Sequence, residues 1–390
     1  MTRSWRLVAL LSATATASYL CRVNVSVTGG MMMRELGLSQ EVMGRVFSAF
    51  LLGYALCQIP GGMLADRFGA RRVLALASLG WVAATAIIAG AAAYLPALLG
   101  GRLLLGIAEA PTFPAAAQAI SGRLPAQTRG RANGMVIAAI GVGSAIAPPL
   151  LSYVMVRWGW RPALLVSAVP ALAVAIVWCM VPRDSAPPGE RRGGGLPRST
   201  SFVLLTLSYT LQGYVGYIFV FWFYLYLVDV RHFDLLRGAL FGSLPWLLSI
   251  VSIPLGGFLF DRLGGARLIP VVGLSGSGLL IAAGAYTASP YAAATCLALA
   301  TALVLGTEGP FWATMSTIAG RRSGSAGGVM NMGSNLGGLI SPALTPVLAA
   351  GIGWEGALLV AAGLGVIAGL LWIPISTEPG PSGDAHGTRA

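Results

Sequence analysis

Four ionisable residues of this 390-residue chain stand inside apolar stretches: Arg22, Arg102, Glu109 and Glu308. A charge carried to the middle of a membrane helix costs about 2.5–3.5 kcal/mol on insertion scales. Such a group is kept where it faces a watered cavity or a partner. The planar fork of Arg22 suits a carboxylate, which it can hold through two parallel charge-assisted hydrogen bonds. Two readings of Arg22 stand side by side: a binding site for an anion, or a structural ion pair inside a helix bundle. Arg102 and Glu109 are seven residues apart, hence on one helix face and about 10 Å apart along the axis, too far for a direct salt bridge. Glu109 is the better proton carrier. An apolar setting favours the neutral acid and a nearby arginine favours the carboxylate, so a group between the two can change protonation as the arginine gains or loses an anion. Its other reading is a permanently ionised partner that joins two helices. Glu308 holds the equivalent place in the second half of the chain, as a second titrating site or a hydrogen-bond anchor.

Asn331 and Asn335 lie four apart with Ser334 beside them. Amides on one helix face can contact the hydroxyls of a bound molecule, or can join helices. Trp312, Tyr217 and Trp222 can line a cavity, but aromatic residues also favour the membrane interface. No nucleophile–base pair and no phosphate loop accompanies these groups, which makes an enzyme the wrong class. The two histidines, His232 and His386, and the four widely separated cysteines have no metal-ligand spacing, so neither metal nor cofactor is expected. The cysteines read as small packing residues.

The elements that must position these groups are membrane helices. The chain is 56% hydrophobic and 10% charged, with a mean hydropathy of +0.77, against about 25% charged residues in soluble proteins. Its solvent is therefore largely lipid. The apolar runs predict twelve helices of roughly 20 residues or more, at 6–29, 40–64, 73–93, 96–120, 132–156, 161–182, 202–228, 237–260, 267–287, 291–318, 325–350 and 354–376. Arg22 falls past the midplane of the first, about 24 Å from its start. Arg3 and Arg6 before an apolar run imitate a signal peptide, yet the run continues to span length. The Pro- and Gly-rich 183–200 reads as a linker between an N-terminal bundle, 1–182, and a C-terminal bundle, 201–377, with a disordered tail at 378–390.

All 25 basic residues are arginines, and the net charge is +12. They sit in short loops rather than on one soluble face, which argues against a nucleic-acid partner. With the N-terminus inside, seventeen arginines fall on the inner side and six on the outer, so both termini are expected in the cytoplasm.

The chain also repeats itself. GGMLADRFGARRV at 61–73 returns as GGFLFDRLGGARLI at 256–269, with Asp66 and Asp261 195 positions apart. GWRPALLVSA from Gly159 returns as GWEGALLVAA from Gly353. APPLL at Ala147 and GIAEAPTF at Gly106 return as SPALT at Ser341 and GTEGPFW at Gly306. Repeated landmarks in the same order mean two similar halves, and in membrane proteins that architecture accompanies transporters with a site between the halves.

The GxLADRxGxRR loop, with Gly62, Asp66, Arg67, Gly69 and Arg71, resembles the signature loop of the major facilitator superfamily, and Asp261 and Arg262 mark its degenerate second copy. Tyr19-Leu-Cys-Arg22-Val-Asn24, Tyr54 followed by QIPGG, and Arg102 followed by Glu109-Ala-Pro-Thr-Phe-Pro114 resemble more narrowly the anion:cation symporters, which include organic-acid and sugar-acid proton symporters. The resemblance implies an all-α fold of two pseudo-symmetric six-helix bundles, with Arg22 on the substrate carboxylate and Tyr19 and Tyr54 in the pocket. It puts Arg102 and Glu109 in the gating and proton-coupling network, and the signature loop in gating. Sugar-acid members place an aspartate where this chain has Cys21, which leaves the number of coupled protons open. The seventh span lacks the additional arginine of vesicular glutamate carriers, which points away from a dicarboxylate specialist of that kind. The expectation is proton-coupled uptake of a small organic anion by a monomeric, multi-pass protein of the bacterial inner membrane. Efflux of drugs or metabolites, and ligand sensing without transport, are the alternatives. The GPxxGG-like stretch of drug antiporters is not matched by GVGSAIAPPL, and a sensor's soluble extension is absent from the sequence.

Overall fold

A computed structural model describes residues 3–124, 126–181, 199–319 and 323–376. The expected linker and tail lie mostly outside these residues, at 182–198 and 377–390. All regular structure among the described residues is helical. The first half contains α1 (Arg3–Leu36), α2 (Gln40–Phe68), α3 (Ala70–Ala91), α4 (Leu95–Glu109), α5 (Thr112–Arg123), α6 (Ala126–Trp158) and α7 (Trp160–Met180). The second contains α8 (Thr200–Phe221), the single turn α9 (Phe223–Leu225) running into a π-turn at Tyr226–Val230, α10 (Leu235–Arg262), α11 (Leu268–Tyr286), α12 (Pro290–Gly306), α13 (Glu308–Ala319) and α14 (Ser323–Leu370).

These segments amount to twelve spans. Ten helical stretches among the described residues are long and apolar enough to cross a membrane. One of them, within α14, contains two spans, because Gly353 breaks the helix at φ 77° and ψ 164°. Gly159, its counterpart in the first repeat, separates α6 from α7 at φ 85° and ψ 176°. The repeated Gly-Trp therefore has a physical cause: each fifth span turns into its sixth through a backbone conformation that only glycine adopts freely. The first span, α1, is absent from the ten. Its Ser18, Arg22, Asn24, Ser26 and Thr28 dilute its hydropathy, and all five are buried. A helix this polar is held at the centre of the protein rather than against lipid.

Two expected spans are interrupted. The fourth breaks after Glu109, where Pro111 cannot donate a backbone hydrogen bond. The tenth breaks at Thr307, whose hydroxyl turns back to the Val304 carbonyl at 2.6 Å. Each interruption places an acid at the break, Glu109 in one half and Glu308 in the other. Apolar patterning does not reveal such breaks, because the run of apolar residues continues across them.

In the first half α1 packs on α6 and α7, α2 on α4, and α3 on α4 and α7; in the second α14 packs on α8 and α11, and α12 on α10 and α11. The halves meet mainly through α2 on α14 and α6 on α10. These are spans 2 with 11 and 5 with 8, which the repeat interchanges, as a pseudo-two-fold relation requires. Large apolar side chains such as Leu56, Ile59, Val169, Leu240, Val251 and Leu279 are exposed, and they belong against acyl chains.

Candidate functional site

The site is assembled from the broken fourth span and the polar first span. Arg22 Nη2 lies 2.7 Å from Glu109 Oε1, and Arg22 Nε donates to the same oxygen at 2.9 Å. Arg22 Nη1 donates to the Tyr19 hydroxyl at 3.0 Å. The guanidinium carbon is 4.3 Å from the Tyr19 ring centroid, 4.7 Å from that of Tyr54 and 5.0 Å from that of Phe50. Three rings thus present their negative faces to one cation. Arg22 and Glu109 are 2% and 0% exposed.

Arg102 stands behind this pair, fully buried. Its Nη1 donates to the Arg22 carbonyl at 3.3 Å, and its guanidinium carbon is 5.0 Å from the Phe50 centroid. Phe50 therefore touches both arginines. Among the described residues Arg102 and Glu109 form no ion pair or hydrogen bond, in keeping with their seven-residue spacing; the acid goes to Arg22 instead. Among the described residues, Glu109 Oε2 and Arg102 Nε and Nη2 have no hydrogen-bond partner. Asn24 donates to Ser167 Oγ at 3.0 Å, and the Cys21 thiol donates to the Ser167 carbonyl at 3.4 Å. These contacts fix α1 against α7.

The second half offers a different acid. Glu308 Oε2 accepts from the Tyr209 hydroxyl at 2.7 Å, and Oε1 accepts from Gln212 Nε2 at 2.8 Å. Among the described residues no cation is paired with it. Trp312 lies beside it on α13, 41% exposed. Tyr217 joins the two sides: it donates to Asn335 Oδ1 at 3.4 Å, and it lies within electrostatic reach of Arg22, Tyr54 and Glu109 as well as Glu308. Tyr217 is therefore common to the surroundings of both carboxyl groups.

Asn331 and Asn335 take separate roles. Asn331 Nδ2 donates across the halves to Gln58 Oε1 at 2.9 Å, whereas Asn335 stays with Tyr217. Further contacts between the halves lie toward the face opposite the start of α1. Ser48 donates to the Leu339 carbonyl at 2.8 Å and Ser243 to the Ala145 carbonyl at 2.7 Å. Ser152 and Tyr224 hydroxyls are 2.9 Å apart, and Phe47 stacks on Phe221 at 5.0 Å. At the rim, Arg34 Nη1 is 3.4 Å from Asp229 Oδ1. That face is closed.

The expected gating residues lie far from this cluster. Gly69 turns α2 into α3 at φ 81°, and Gly62 faces Pro114 Cβ at 3.6 Å. Arg67 is exposed over the Phe68 ring. Arg71 donates to the carbonyls of Trp178, at 3.1 Å, and Cys179, so it caps the end of α7. Asp261 and Arg262 are exposed, and the Asp261 carbonyl accepts from Gly264 N at 3.1 Å. The Asp66 side chain lies outside the described residues.

A sequence model described as Major Facilitator Superfamily matches residues 10–342. The chain belongs to the Major Facilitator Superfamily. Within it, the chain is 32% identical to the probable sulfoacetate transporter SauU of Cupriavidus necator, over 95% of this chain and 94% of that one. It is 30% identical to the D-galactonate transporter of Escherichia coli, over 95% of each. A bacterial homologue of the human lysosomal transporter Spinster, solved in an inward-facing and unoccupied conformation, aligns over 95% of this chain and 96% of that chain with a TM-score of 0.82 and 18% identity; that likeness is one of fold. This facilitator falls in the organic-acid and sugar-acid branch of the superfamily, as a multi-pass membrane protein and a secondary transporter rather than an enzyme.

Gln58, Tyr209 and Gln212 were not singled out from sequence. Their signal was present: each is a polar group in an apolar span. What assigns them is the partner each meets on another helix, Asn331 for Gln58 and Glu308 for Tyr209 and Gln212, and only the packing shows that.

Proposed function

We propose that this facilitator takes up a small organic anion together with protons, by alternating access. The observation that carries the reading is the buried Arg22–Glu109 pair. A carboxylate or sulfonate cargo and Glu109 compete for one guanidinium. Cargo is bound when Glu109 is protonated and lets go of Arg22; the loaded site then keeps the net charge of the empty one. A buried pair broken without replacement costs about 3–5 kcal/mol, so cargo without proton, or proton without cargo, is a poor occupant of the closed site. That penalty is the coupling. Tyr19 and Tyr54 hold the Arg22 fork in plane, while Asn335, Asn331 and Trp312 supply contacts from the other half.

The arginine asymmetry supports cytoplasmic termini in the bacterial inner membrane. The closed face, opposite the start of α1, is then the outer one. The signature loop and its second copy lie on the inner side, where Arg71 ties α3 to the end of α7. The protein acts as a monomer, each chain holding a complete cleft.

The test is uptake of radiolabelled sulfoacetate and D-galactonate into proteoliposomes, with and without an inward proton gradient. Accumulation driven by the gradient is expected for the wild type. Arg22→Ala should bind and carry neither anion; normal transport by that variant would remove Arg22 from the site.

A further inference from the structure

The interior of the two bundles contains two guanidiniums, Arg22 and Arg102, and two carboxyl groups, Glu109 and Glu308, among the described residues. With both acids ionised these charges cancel. Glu109 is committed to Arg22, whereas Glu308 is held by neutral groups alone. That difference is chemical as well as electrostatic. A guanidinium only donates, so it fits only a carboxylate. A phenol hydroxyl and a carboxamide both donate and accept, so Tyr209 and Gln212 satisfy Glu308 whether it is a carboxylate or an acid. The Trp312 indole, a donor only, lies within reach of both Glu308 and the Tyr209 hydroxyl, so the cage keeps its occupant bonded as it takes up and loses a proton. The groups that face it are Tyr209, Gln212 and Tyr217 from α8, with Trp312 on its own helix; α10, α12 and α14 pack on α13 without a described ionisable contact to Glu308.

We propose that Glu308 is a second proton site of this facilitator, and that the cargo is a small doubly charged organic anion carried with two protons, one on Glu109 and one on Glu308. The proposal rests on the Arg22–Glu109 reading above. A dianion entering the cleft adds two negative charges to a balanced set, and neutralising both acids restores the balance. Neutralising Glu109 alone leaves a net negative charge in a site that must pass through a closed state, where uncompensated charge is costly. Arg102, buried with two donors that have no partner among the described residues, provides the second positive charge.

The experiment is a static-head measurement on the full-length protein in proteoliposomes, with sulfoacetate as the dianionic probe and D-galactonate as the singly charged one. The pH gradient and membrane potential that halt net flux give the protons moved per anion. The wild type is expected to move two protons per sulfoacetate. Glu308→Gln should move one, so that its uptake becomes opposed by an inside-negative potential, while sulfoacetate exchange persists; Glu308→Asp should restore the count of two. One proton per sulfoacetate in the wild type, two in Glu308→Gln, or accumulation of D-galactonate alone would each overturn the proposal. If Glu308→Gln were inert in exchange as well, the wild-type count would decide by itself. Failure of the parent reading has a separate signature, namely gradient-driven accumulation by Glu109→Gln.

Discussion

Arg22 and Glu109 come from different spans and close on each other, with Nε donating to one carboxylate oxygen at 2.9 Å and Nη2 2.7 Å from the same atom. The arginine is thus occupied by an internal acid in this conformation rather than standing open. An anion binds here by replacing a carboxylate, and the pair itself becomes the sensor of both proton and cargo.

Binding should therefore weaken with alkalinity, and the sign follows from competition. As pH rises through the range where Glu109 loses its proton, the carboxylate re-forms its pair with Arg22 and excludes the cargo. The Glu109 part of this dependence is about tenfold in Kd per pH unit, since one proton is linked. Glu109→Gln should bind more tightly than wild type at alkaline pH and lose that slope, while exchange continues and gradient-driven accumulation disappears. Titration calorimetry with sulfoacetate across pH 6–9 measures it; an unchanged slope in the variant would assign the dependence elsewhere.

The Arg34–Asp229 contact ties α1 to the π-turn of the seventh span, on the closed face. Arg34 is 58% exposed, so the pair contributes no more than about 1 kcal/mol. A gate needs little more than that to shift its population. Asp229→Asn should widen the distance between spin labels at Ser39→Cys and Leu236→Cys in a cysteine-free background, with little change in melting temperature. Identical distance distributions would show that the aromatic and hydroxyl contacts below the rim close the face unaided.

Glu35 lies beyond the apolar part of α1, where Arg161 Nη1 and the Trp160 indole both donate to its carboxylate. The Arg161 hydrogen bond first, and the Trp160 bond second, hold its carboxyl below the usual range. A lowered folded-state value means stability that is present above the ordinary carboxylate range and is lost as pH falls through the folded value. Glu35→Gln should thus melt below wild type at neutral pH and match it in strong acid. Thermal unfolding in detergent from pH 3 to 7 reads this; a gap that persists at the acid end would point to lost packing rather than lost charge.

Much of this protein was legible without coordinates. Composition required a membrane, the repeated landmarks required two related halves, and the cost of charge in lipid singled out Arg22, Arg102, Glu109 and Glu308. Those inferences rest on properties that each residue carries with it: its hydropathy, the charge of its side chain and its place in a repeated landmark. Partnership is a property of a different kind. The seven-residue spacing of Arg102 and Glu109 excluded a bond between them, yet nothing in the order of residues says that Glu109 reaches Arg22, 87 positions away. The same holds for Gln58 on Asn331, 273 positions away, and for the neutral cage around Glu308. The breaks at Pro111 and Thr307, which turn the fourth and tenth spans at their acids, were hidden because hydropathy is blind to a helix that changes direction within lipid. Sequence determined which groups must be sheltered; the crossing of helices from distant parts of the chain decided which shelters which, because only packing brings a donor and an acceptor within 3 Å.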